Sequence, residues 1–211
     1  MRFLCISDIH GHRAALDAVL EEAAARDWHQ LLVCGDLLFP GPEPLATWKR
    51  LVELKAVCTQ GIGDRALALI DPDKLQPRDE AERERVARLV QVRRELGELI
   101  VLHLRKLPDR VRLPLESGDE LLVVHGSPAD PTEAFTHEMS DAELNALVAD
   151  EAADVIVCGA SHVPFHRQLD GVHIVSVGSV GEAPGGGSAH ATLIDAGPTG
   201  VSIEQFEVRL P

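Results

Sequence analysis

Tyrosine is absent from this chain, and tryptophan and phenylalanine bring the aromatic share to only 3%. Proteins that hold single-stranded nucleic acid stack bases on aromatic rings, so that class of partner is disfavoured. Basic residues are scarce as well. Lysine and arginine total 20 against 34 acidic residues, a formal charge of −14 that repels a phosphate backbone at long range. No apolar run approaches the roughly 20 residues that a membrane-spanning helix needs. The opening Met1-Arg2-Phe3-Leu4-Cys5-Ile6 is too short an apolar stretch for an export signal and meets Asp8 at once. The four cysteines, Cys5, Cys34, Cys58 and Cys158, include no C-x-x-C pair. Each lies in or beside an apolar run, which suits a buried reduced thiol better than a disulfide framework or a zinc cluster. These absences lead us to expect a cytoplasmic protein with no membrane attachment and no general nucleic-acid binding. No surface patch announces an interface, so the sequence leaves oligomeric state open.

What is present suits one α/β domain. At 211 residues, 45% of them hydrophobic, the chain can bury a sizeable core. Phe3-Leu4-Cys5-Ile6 reads as a buried strand, residues 12–26 as a helix with Leu16, Val19, Leu20 and Ala23 on its apolar face, and Leu31-Leu32-Val33-Cys34 as the next strand. Such a βαβ unit makes its two strands parallel. A helix near 45–54 leads to the strand 56–59. The charged stretch 77–107 carries Val86, Val90, Leu96, Ile100 and Leu104 on one face, the pattern of an amphipathic helix or helix pair. Runs at 111–115 and 120–124 form a hairpin turned at Gly118. Ser140 and Glu143 have capping-box spacing at the start of a helix to Val148. Strands at 155–158, 172–175, 191–194 and 201–203 complete the set, and Pro184-Gly185-Gly186-Gly187-Ser188 reads as a loop.

The chemistry is positional. Asp8 and His10 follow the first strand, Asp36 the second, Gly61 and Asp64 the third, and His125 and His162 two later ones. In open α/β sheets the carboxyl ends of strands gather at one edge, where ligands bind. Singly, each residue has a bland reading: Asp8 as a helix N-cap, Asp36 as a turn residue, either histidine as a satisfied loop residue. Jointly they deliver carboxylates and imidazoles to one place, and turn chemistry does not demand histidine repeatedly at one edge. Carboxylate with imidazole and no thiolate suits Mn, Fe, Zn or Ni better than Ca or Mg.

Ser7-Asp8-Ile9-His10-Gly11, Gly35-Asp36, Gly61-Ile62-Gly63-Asp64, Val124-His125-Gly126 and Gly159-Ala160-Ser161-His162 occur in that order. The series resembles the calcineurin-like metallophosphoesterase signature: D-x-H, G-D, G-N-x-[DE], a histidine often followed by glycine, and G-H-x-H. Val177-Gly178-Ser179-Val180-Gly181 is similar to the Gly-Ser turn of that family's small bacterial and archaeal phosphodiesterase branch. The resemblance covers nearly the whole chain. It implies a single domain over 1–211 of the α/β class, a four-layer α/β/β/α sandwich with mixed sheets. It also implies a two-metal site that hydrolyses a small phosphomonoester or phosphodiester through a metal-activated hydroxide. By position, Asp8, His10, Asp36 and His162 match the first metal's ligands, Asp36 also bridging, and His125 matches a ligand of the second.

The match has gaps. Ile62 stands where the family has asparagine and Ala160 where it has the first histidine of G-H-x-H, and neither side chain binds a metal. Gly63 replaces a histidine of some members, and Glu182-Ala183-Pro184 occupies a stretch that often holds arginine. The expectation is therefore one tight divalent site and a second that is weak or absent. Asp36, His12 and Asp64 are the candidates for catalytic roles, His12 and Arg65 for contacting phosphate. Each has a structural alternative: a helix start for His12, a hydrogen bond or salt bridge for Asp64, a surface ion pair for Arg65. His166 is a remoter candidate ligand, and His137, His173 and His190 carry no motif. Two rival readings stand beside the hydrolase: a silent descendant that binds a metal or phosphorylated ligand, and a plain α/β protein with incidental histidines.

Overall fold

The computed structural model describes residues 1–198 and 200–210. Two five-stranded sheets face one another. The first has the order β10-β9-β1-β2-β3, made from β1 (Arg2–Ile6), β2 (Gln30–Val33), β3 (Val57–Cys58), β9 (Ser188–Gly197) and β10 (Gly200–Arg209). The second has the order β4-β5-β6-β8-β7, from β4 (Arg110–Pro114), β5 (Glu120–Val124), β6 (Val155–Cys158), β7 (Pro164–Leu169) and β8 (Val172–Val177). Both are mixed: β1-β2-β3 and β5-β6-β8 run parallel, while β9, β10, β4 and β7 pair antiparallel.

Strand alternation explains the layers. In β1, Phe3 and Cys5 point between the sheets, where they meet Leu121, Val123, Val155 and Val157 of the second sheet. Leu4 and Ile6 point the other way, against Leu16, Val19 and Leu20 of α1 (Arg13–Ala23). Strands buried on both faces read as continuous apolar runs, which is why the parallel strands were recognisable in sequence. The helix layer on the first sheet adds α2 (Pro44–Glu53), α3 (Ile62–Leu69) and α4 (Glu80–Leu104), and the second sheet is covered by α5 (Asp141–Val148) with Phe135. The result is the expected α/β/β/α sandwich. The hairpin turn at Gly118 and the capping box of Ser140 and Glu143 form as their sequences predict. All four cysteines are free thiols. Among the described residues no helix is long and apolar enough to cross a membrane.

Five elements depart from the sequence expectation. β7 was not anticipated: it is an edge strand whose exposed His166 and Gln168 alternate with half-buried residues, so no apolar run marks it. α3 begins inside a signature loop and was missed for that reason. β9 and β10 are ten residues each, longer than the apolar runs that marked them. In α4 the buried face is Leu89, Val92, Leu96 and Leu104, whereas Val86 and Val90 are only half-buried. Leu89, Val92 and Leu96 form the stripe of the first half, and Gly97, whose φ of 74° and ψ of 166° break the helix, separates it from Leu104. That backbone region is open almost only to glycine.

A Cβ at Gly97 would meet nothing within 4 Å, so a substitution there is opposed by backbone strain alone. Gly97→Ala should lower stability by about 1–3 kcal/mol in urea unfolding. An unchanged midpoint would mean that the segment heals into one continuous helix.

Candidate metal centre

The carboxyl ends of β1 and β2 do not stop pairing where the strands end. Asp8 N–H donates to the Gly35 carbonyl, His10 N–H to Asp36 and Gly11 N–H to Leu37, at 3.1, 2.9 and 2.9 Å. This zipping carries Asp8, His10 and Asp36 beyond the sheet edge side by side. From the other sheet, Gly159 N–H donates to the His125 carbonyl and Ala160 N–H to Asp8 Oδ2, at 2.9 and 3.0 Å. The loop after β8 closes the ring through bonds from Val180 N–H to Ser7 and from Gly181 N–H to Asp8. Four of the five candidate ligands take left-handed backbone: φ is 53° at Asp8, 49° at His10, 51° at Asp36 and 60° at His162. L-residues resist that region, and such strain collects at functional sites. Gly35 is required between them, because its φ is +88° and a Cβ would come within 2.7 Å of His125 Nδ1.

Three imidazoles share one device. His10 Nδ1 lies 2.5 Å from the Phe39 carbonyl, His125 Nδ1 2.6 Å from that of Cys34, and His162 Nδ1 3.0 Å from that of Glu182. A carbonyl oxygen only accepts, so each Nδ1 carries the hydrogen and each neutral ring presents an Nε2 lone pair. Those Nε2 atoms converge. His10 and His162 bring theirs to 3.4 Å. His162 Nε2 is 3.2 Å and His10 Nε2 3.7 Å from Asp8 Oδ1, and His125 Nε2 is 3.6 Å from Asp36 Oδ2. Asp8 Oδ1 and His125 Nε2 are buried without a hydrogen-bond partner. Lone pairs aimed at one another and at carboxylates repel unless a cation lies between them. The donor set therefore fits a divalent ion. Among the described residues two groups could hold one, Asp8-His10-His162 and Asp8-Asp36-His125. Asp8 belongs to both, whereas the family resemblance gives the bridging role to Asp36, whose Oδ2 lies 4.0 Å from His10 Nε2.

The charges respond accordingly. Burial alone would raise the carboxyl of Asp8, but contact with His162 and the proximity of His125 hold it below its ordinary range. Burial pushes Asp36 up, and the charge of Asp8 adds to that against the pull of His125 and His10. Contact with Asp8 raises His162 despite its partial burial.

The remaining sequence candidates are placed differently. Asp64 is not in either group: it is fully buried and accepts from the Leu37 and Gly61 amides at 3.1 and 3.0 Å, boxing the start of α3. Burial and then the charge of Asp36 push its pKa up to about 7, against the pull of those amides. Its expected catalytic role gives way to that of a positioning residue, because both oxygens are spent on backbone. Arg65, expected to contact phosphate, pairs with Asp109 at 2.6 Å on the surface. His12 is half-buried, makes no side-chain cap bond for α1 and lies against Gly181 at the rim. His166 bonds His173 at 2.9 Å, outside both groups. Glu182 was missed as a site residue: its Oε2 stands 3.6 Å from His10 Nε2, brought there by the loop after β8 and by no motif. Ile62 is 48% exposed at the first turn of α3, and Ala160 offers the centre only its backbone N–H.

Residues 1–197 match the family model described as the calcineurin-like phosphoesterase superfamily domain. No curated protein matches the chain in sequence. Among solved structures, a hypothetical protein from Pyrococcus horikoshii OT3 is similar at 20% identity and a TM-score of 0.85, over 100% of this chain and 88% of that one. A metallophosphoesterase from Sphaerobacter thermophilus is 24% identical, with a TM-score of 0.74 over 99% and 90%. An archaeal phosphodiesterase is 17% identical, with a TM-score of 0.54 over the full length of both. At these identities the structural likeness concerns the fold.

Asp64→Asn tests the tether. The amide keeps an acceptor for Leu37 but turns its own N–H towards that of Gly61, so stability should fall by about 1–3 kcal/mol in urea unfolding. Unaltered stability would show that the carboxylate does not anchor α3.

Proposed function

The chain belongs to the calcineurin-like phosphoesterase superfamily, and from that premise we propose that it hydrolyses a small phosphomonoester or phosphodiester with a divalent transition metal. One observation carries the reading: three histidine rings, each pinned at Nδ1 by a carbonyl, aim Nε2 at the carboxylates of Asp8 and Asp36. Asp8, His10 and His162 would hold one ion, with Glu182 at the rim. Asp36 and His125, sharing Asp8, would hold another more weakly, since Ile62 and Ala160 add no ligand. Bound there, such an ion supplies Lewis acidity towards a phosphoryl oxygen and acidifies water. Asp36 accepts from Gly63 N–H at 2.6 Å and turns its other oxygen towards His125 and His10. His12, half-buried beside Gly181, would donate a proton to a departing alkoxide.

Manganese, the cytoplasm and the absence of nucleic-acid and membrane partners are part of the same proposal. The acidic balance, the scarcity of aromatic rings and the oxygen-nitrogen donor set support them. Ile62 and Ala160 favour a second reading, a metal-binding protein without turnover.

The deciding assay follows p-nitrophenyl phosphate and its bis ester with added Mn²⁺, beside Asp36→Asn. Metal-dependent release that the variant loses is expected; full activity in Asp36→Asn would overturn the site. Silence in the parent chain, with release appearing on Ile62→Asn plus Ala160→His, would establish the second reading.

Metal loading should also depend on pH with a definite sign. The proton that His162 holds more tightly than an ordinary imidazole occupies the lone pair a metal would take. Because that proton is held above the ordinary imidazole value of about 6.5, Mn²⁺ affinity should begin to fall before the pH has dropped that far and continue below it, by up to tenfold per pH unit, in calorimetric titrations. Affinity that is flat from pH 8 to pH 5.5 would remove His162 from the ligand set.

A further inference from the structure

A groove opens beside the metal centre between α3 and the first half of α4. Its volume is about 280 Å³, and Phe39, Ala66, Ile70, Leu75, Val86 and Leu89 make most of its wall. Glu82 and Arg85 stand among the lining residues as its charged groups. Two large apolar side chains of that wall are uncovered, Ile70 at 36% and Leu75 at 39% exposed, and Ile62, one turn before Ala66 on α3, is 48% exposed.

The groove adjoins residues that support the site at two points. The first is Phe39, whose carbonyl orients His10 and which also lines the groove. The second is α3. Its residue Gly63 donates to Asp36 Oδ1 at 2.6 Å, so the helix starts at the metal centre. Ile62, Ala66 and Ile70 are spaced four apart and share one helix face. At about 1.5 Å of rise per residue, Ala66 lies only about 4.5 Å along the axis from Gly63. Ile62, exposed at the first turn of α3 beside Gly63, lies one turn before the wall residue Ala66. The walls are fixed in place by backbone-directed bonds. Arg88 of α4 donates to the Pro40 and Gly41 carbonyls, and Arg93 donates to the Ile70 carbonyl at 2.6 Å.

We propose that this groove receives the apolar alcohol portion of the substrate, so that the chain acts on phosphoesters of aromatic or similarly bulky hydrophobic alcohols. The proposal rests on the hydrolase reading above and assigns it a substrate class. An apolar cavity of about 150 Å³ suffices for benzene, so the groove accommodates a one- or two-ring group. Ile62 then has a positive use: it gives up a ligand and supplies the surface that passes the alcohol from phosphate to groove. A sugar or nucleoside would instead leave its hydroxyls unpaired against these walls.

Two phosphonates, whose carbon–phosphorus bond is not hydrolysed, separate binding from turnover. Calorimetry with Mn²⁺ present should find naphthylmethylphosphonate bound at least tenfold more tightly than methylphosphonate. Ala66→Phe, which fills the groove, and Ile70→Glu, which charges it, should each bring that ratio close to one and leave methylphosphonate unchanged. Equal affinities in the parent chain, no binding, or a ratio that both variants preserve would overturn the proposal. So would a dimer in sedimentation that Ile70→Glu splits, since a second copy would then be the occupant. In parallel, hydrolysis of 1-naphthyl phosphate is compared with that of glycerol 2-phosphate. Turnover of both without preference sinks the groove and leaves the hydrolase. Binding preference with turnover of neither supports the groove and sinks the hydrolase.

Discussion

Asp8 and Asp36 leave the ends of paired parallel strands and are both buried, so two carboxylates compete for ionisation in a space that water does not screen. Most of what surrounds them answers that difficulty. Histidines approach them from three elements, Ala160 N–H reaches Asp8, and Gly63 N–H reaches Asp36. Asp64 stands behind with its oxygens bound to amides, and its pKa is raised first by burial and then by the charge of Asp36. A protein with no use for a cation could relieve this more simply by burying apolar residues there. The retention of so much unfavourable electrostatics agrees with a centre completed by a positive ion.

The same edge concentrates conformational strain. Asp8, His10, Asp36 and His162 all sit at positive φ, and the zipped backbone bonds between the β1 and β2 loops hold three of them there. These residues do not relax into better backbone because each neighbouring turn is tied to another. The sandwich core, with Phe3 and Cys5 facing Val155 and Val157, supplies the rigid platform against which that tension is sustained.

Much of this was legible in the sequence, for a physical reason. The central strands are buried on both faces and read as apolar runs, so the polar residues that follow them stand out: Asp8, His10, Asp36, His125 and His162. Elements that lack such a run were not legible. β7 lies at a sheet edge and α3 starts within a turn. The break of α4 at Gly97 is one that no periodicity reveals. Glu182 reaches His10 only because the loop after β8 folds back onto β1, a tertiary event with no local signature. Asp64 and Arg65 make the amide bonds and the surface ion pair that stood as their structural alternatives, and residue type alone does not disclose whether a carboxylate or guanidinium is already engaged.

The carbonyls that orient the rings have a consequence for variation. Cys34, Phe39 and Glu182 hold His125, His10 and His162 with main-chain oxygens, which any residue at those positions supplies. Ring orientation is thereby uncoupled from side-chain identity at 34, 39 and 182. The side chains at 39 and 182 are left at liberty for other tasks, as when Phe39 lines the groove and Glu182 faces His10, whereas Cys34 is committed to the core between the sheets. Drift at 39 and 182 can change the surroundings of the centre while the imidazoles stay where they are.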